Sequence, residues 1–159
     1  MDSQTDPIAG PLTNTREGAS IHPEASQRAA HTAWTFPAGL VPATSTGHEP
    51  ECTSRNVLCL LNATSRDACV RLTVFHEDRD PVGPYEVAVP AQRVKHVRIN
   101  DLIDPEAVPL GQPYGLAVSS DVPVTAQLLL LDTGGGNYAL TALPGFPGPA
   151  DGGAAAGPG

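Results

Sequence analysis

Hydrophobic and polar positions alternate with period two along most of the middle of the chain, and the runs are short and bounded by Pro, Gly and Asn. That is the pattern of half-buried strands. In residues 68–78, Val70, Leu72, Val74 and His76 share one face, and Cys69, Arg71, Thr73 and Phe75 share the more polar one. In residues 84–90, Tyr85, Val87 and Val89 alternate with Glu86 and Ala88. Residues 55–62 (RNVLCLLN) are apolar at both parities, which predicts a strand covered on both faces. Residues 31–37 form a first strand with Trp34 and Phe36 on one side, and residues 38–51 read as a loop. Residues 114–120 and 123–132 are the last long strands, and Gly134 to Gly136 with Asn137 signal a tight turn into residues 137–143. A helical turn is expected at residues 101–103.

Seven or eight short strands with Pro and Gly turns, and no amphipathic helix, predict an all-β protein. The architecture expected is a single-domain antiparallel β-sandwich, jelly-roll-like. Its boundaries are expected at 31–144. Residues 1–30 hold few large apolar side chains and read as a disordered arm, and 145–159 as a disordered Gly/Ala/Pro tail. The leucines at 128–131 face alternately to both sides of a strand, so one set needs cover from a loop or another subunit. A homo-oligomer follows from that alone.

A net charge of −8 disfavours nucleic acid as a partner. The N-terminus lacks the basic and apolar regions of a signal peptide, and the longest apolar run is too short to span a bilayer. A soluble, cytoplasmic protein that is not inserted in a membrane is expected. Three cysteines without C-x-x-C spacing suggest neither a disulfide framework nor a zinc site. Asn62-Ala63-Thr64 matches a glycosylation sequon, which has no chemistry without secretion.

Residues 76–80 (HEDRD) resemble a calcium loop only superficially, since Val82 and Val89 stand where ligands are needed. There is no nucleophile elbow, no H-E-x-x-H and no phosphate loop. The chain is therefore expected not to be an enzyme and to need no metal or cofactor. Candidate recognition chemistry concentrates in Arg93, Lys95, His96, Arg98, Asn100 and Asp101. Cationic forks beside an amide and an acid can hold carboxylates, phosphates or sugar hydroxyls, or can pair subunits. Gln127 could add a polar group to the same concavity, and Trp34 is either a core anchor or a stacking surface.

Three pieces, PVGPY at 81–85, VPAQRVKHVRINDLIDP at 89–105 and DVPVTAQLLLLD at 121–132, resemble the sensory rhodopsin transducer family, named for the soluble cytoplasmic partner of a cyanobacterial sensory rhodopsin. Trp34 fits the family's N-terminal Trp, and the similarity extends over most of residues 51–143. The resemblance implies a small β-sandwich that forms a homotetramer and has a non-enzymatic role. That role is either relaying a signal from a membrane photoreceptor or another protein partner, or binding a small sugar or metabolite with no link to photoreception. One departure stands out. Leu128 to Leu130 occupy positions where the family pattern carries polar residues, including His and Arg.

Overall fold

A computed structural model describes residues 29–48, 52–135 and 137–148. The arm expected at 1–30 and the tail expected at 145–159 lie largely outside these residues. The described residues form eight strands: β1 His31–Leu40, β2 Arg55–Asn62, β3 Ala68–Phe75, β4 Val82–Val89, β5 Arg93–Arg98, β6 Pro113–Asp132, β7 Ala139–Pro144 and β8 Phe146–Pro147. A single 3-10 turn, Ile99–Asp101, follows β5, two residues earlier than the helical turn expected from the sequence. β8 pairs with β1 beyond the boundary expected at residue 144.

Every strand pairing is antiparallel, and the all-β sandwich is built around β6. The sequence suggested two strands here, with Asp121, Val122 and Pro123 as the break, but the chain runs through as one strand of 20 residues. Its first half lies between β3 (Val70 opposite Ser120) and β1 (Trp34 opposite Val118). Its second half lies between β2 (Leu58 opposite Leu128) and β7 (Leu143 opposite Leu128). Pro123 falls between the end of the β3 ladder and the start of the β2 ladder, where a missing N–H costs least. β6 thereby joins a sheet ordered β4-β3-β6-β1-β8 to a second ordered β5-β2-β6-β7.

Tyr114, Leu116, Val118, Val122, Val124, Ala126 and Leu128 of β6 all face the core, as strict alternation requires. Against them pack Phe36, Leu58, Leu60, Val70, Leu72, Val74, Tyr85 and Val89. The faces expected for residues 68–78 and 84–90 are those observed, with Val70, Leu72, Val74, Tyr85 and Val89 buried. Full burial of an aliphatic side chain such as Leu128 is worth about 1.5–3 kcal/mol. β2 is different from its expectation: Asn56, Leu58, Leu60 and Asn62 are buried, but Arg55, Val57 and Cys59 are only half-buried and Leu61 is exposed. The strand is covered on one face, because nothing among the described residues packs over the outer side of the second sheet. The strand expected at 31–37 runs on to Leu40 and takes the start of the expected loop with it.

Candidate functional site

The outer face of the second sheet carries the chemistry. Residues of one parity on β5, β2, β6 and β7 lie in cross-strand rows. Arg98, Val57, Leu129 and Ala142 form one row. Its neighbours are His96, Cys59, Gln127 and Pro144 on one side and Arg55, Leu131 and Leu140 on the other. Val94 and Leu61 pair at the far end of the same face. The outward leucines foreseen as needing cover are thus spread over an uncovered, largely apolar surface on which Val94 is 62 % and Leu140 68 % exposed. Arg55, His96 and Arg98 edge an open concavity of about 490 Å³ floored by Val57, Leu129 and Leu131, and no acidic side chain among the described residues lines it.

The basic strip is divided between the two faces of its strand. β5 is the edge of its sheet, bonded to β2 alone, and its alternation sends neighbours to opposite sides. His96 and Arg98 stand on the outer face, and Gln127 joins the His96 row through β6. Lys95 turns the other way, but it meets His96, Arg98 and Asp101 again in a cleft of about 380 Å³ at the strand's edge, which Glu86, Val87 and Leu102 also line. Arg93 is exposed at the strand's start and donates to its neighbour's carbonyl, Gln92 O, at 2.9 Å. Charges pointing inward at an edge also discourage strand addition there.

Arg98 is held in place rather than satisfied. Its Nε is buried without a hydrogen-bond partner, and its ion pair with Asp101 spans 3.8 Å. The chain then tightens into the 3-10 turn, where Asn100 acts as a clamp. Its Oδ1 accepts from Asn56 N at 3.3 Å and its Nδ2 donates to Ser54 O at 3.2 Å. Asp101 is exposed beside the cleft that Lys95 enters.

Trp34 stands apart from this surface. It is 7 % exposed, in the core, and its Nε1 donates to Val124 O at 2.9 Å, with His31 edge-on at 5.1 Å. The indole anchors β1 to β6, and burial removes it from any role as an open stacking surface. His76 follows the end of β3, with Arg79 at 3.2 Å from its Nε2. Cys59 sits between His96 and Gln127, and burial pushes its thiol up. No cluster of three potential metal ligands exists among the described residues.

Several residues of the site escaped the sequence reasoning. Arg55, Val57, Leu61 and Leu140 complete the outer face, and the odd parity of residues 55–61 was the available signal. Asn56 and Asn62 are fully buried amides within an apolar run. Asn62 closes the β2–β3 turn and accepts from Thr64 N and Oγ1, so the sequon marks a structural turn.

The described residues thus form an all-β antiparallel sandwich whose second sheet presents a largely apolar outer face, edged by Arg55, His96 and Arg98. The chain belongs to the Anabaena sensory rhodopsin transducer family, whose model matches residues 29–147. Among solved structures, the Anabaena sensory rhodopsin transducer is 41% identical, with 62% of this chain and 94% of that chain covered at a TM-score of 0.57. Thermotoga maritima protein 1070 is 30% identical, with 76% of this chain and 97% of that chain covered at a TM-score of 0.68. No curated protein matches the chain.

Proposed function

We propose that the protein is a non-enzymatic signal transducer that works by docking, as a homotetramer, to a sensory rhodopsin from the cytoplasmic side. Family membership over residues 29–147 is the observation that carries this. The outer face of the second sheet supports it, since a contiguous apolar surface with charged edges is the composition of an association surface. In this reading Leu129, Leu131, Leu140 and Val57 supply the contact area between subunits, and His96, Arg98 and Gln127 at the edge of that face are left to meet the receptor. Arg93, Lys95 and Asp101 lie off this face, and in this proposal they steer encounter rather than anchor it.

The test is interferometry of the full chain on a sensory rhodopsin in lipid nanodiscs, in darkness and under illumination. Saturable binding that changes with light and weakens about tenfold or more in Arg98→Ala supports the proposal. Absence of binding in both conditions, with the chain folded and assembled, would remove the receptor from it.

A further inference from the structure

Arg98 also lines a further concavity of about 460 Å³, between residues 42–45, residues 53–54 and the 3-10 turn. Ser45, Thr53, Ser54 and Asn100 line it beside Arg98, and Leu110 closes one side. Its hydrogen-bond inventory is lopsided. Ser45 Oγ accepts from Ser54 N at 2.8 Å, which leaves the Ser45 O–H to donate outward. Asn100 Nδ2 spends one proton on Ser54 O at 3.2 Å and keeps a second. Arg98 has one ion pair among the described residues, the 3.8 Å approach to Asp101, and Nε has no hydrogen bond. Asp101 lines the neighbouring cleft and not this one. Among the described residues, donors therefore converge in a concavity that no carboxylate side chain lines.

We propose that this concavity binds a small α-hydroxy carboxylate. Its carboxylate is gripped by the guanidinium of Arg98, and its hydroxyl and second oxygen are met by Ser45 and Asn100. A guanidinium fork matches a carboxylate in two parallel hydrogen bonds, and a polar recess of this size suits a polar ligand of a few heavy atoms better than an apolar one. Ser54 holds the recess in shape: its hydroxyl donates to Thr44 O at 3.1 Å and accepts from Thr133 N at 3.0 Å. Anion binding here goes beyond the docking proposal and needs no receptor, so either can fail while the other stands.

The experiment is a titration of the full chain with sodium lactate, followed by amide chemical shifts, with 1,2-propanediol and sodium chloride in parallel. Lactate should give saturable shifts at Ser45, Ser54 and Asn100, while the diol and the salt give none there. Arg98→Lys should weaken lactate about tenfold, since it removes the fork and keeps the charge. Ser45→Asp keeps an acceptor for the Ser54 amide but sets a negative charge at the mouth, and should abolish binding. Arg71→Gln, which disturbs an exposed pair with Glu86, should leave lactate affinity unchanged. Equal shifts with the diol, no saturation with lactate, or unchanged affinity in both Arg98→Lys and Ser45→Asp overturns the assignment.

Discussion

Tyr114 shows how much one side chain organises. Its ring lies flat on Gly39 of the neighbouring strand, so close that a Cβ at Gly39 would sit 2.4 Å from Cζ. Its hydroxyl accepts from Asn56 Nδ2 at 2.8 Å. Gly39→Ala forces ring or strand to move, and should cost about 1–3 kcal/mol as an overpacked core does, read from urea denaturation. Burial pushes the Tyr114 phenol up to about 12, from an ordinary value of 10. The folded state thus holds a proton that the unfolded chain releases first. Stability is intact below pH 10 and falls between about 10 and 12, by roughly 2–3 kcal/mol for this group. Burial also raises Tyr85, with Glu106 adding to the shift, so some decline persists without Tyr114. Tyr114→Phe should flatten the alkaline slope of the melting temperature while lowering stability at pH 7, since Asn56 loses its partner. An unchanged alkaline slope in that variant would assign the effect elsewhere. None of this was readable from the sequence, because an Asn in an apolar run and a Tyr far along the chain give no sign of meeting.

Strand faces were legible wherever alternation was clean, as in β3 and β4. They failed where a single rule gave a wrong default. Pro123 argued for a break in β6, but a proline in the gap between two ladders does not interrupt a strand. Apolar residues at both parities argued for a doubly covered β2, yet Val57 and Leu61 face outward. The basic strip was found, but only His96 and Arg98 share the outer face. Gln127 joins them through a pairing that links β5 to β6 by way of β2, which local pattern cannot reveal. Between elements, Asn62 ties the β2–β3 turn to the end of β4. Its Nδ2 donates to Arg66 O at 2.7 Å and Val89 O at 3.0 Å. Asn62→Ala leaves those buried groups unpaired and should destabilise by about 1–3 kcal/mol, measured by urea denaturation. A loss below a few tenths would mean that water replaces the amide.

At the scale of the molecule, the chain places its charged chemistry and its exposed leucines on one sheet. The sandwich core would be complete without Leu129, Leu131 and Leu140, which contribute their surface outward. Leucines follow Gln127, and the outward Leu129 lies in the Arg98 row. Leu129 and Leu131 make this face largely apolar. An exposed ion pair such as Arg71–Glu86 contributes little to stability, so moderate salt should leave folding nearly untouched.

The most direct measurement is light scattering on the size-excluded full chain, beside a Leu129→Asp/Leu131→Asp variant with an unchanged far-ultraviolet dichroism spectrum. The outer face as an assembly surface predicts four chain masses for the native protein and fewer for the variant. A native protein at one chain mass, or a variant that assembles as the native does, would contradict it.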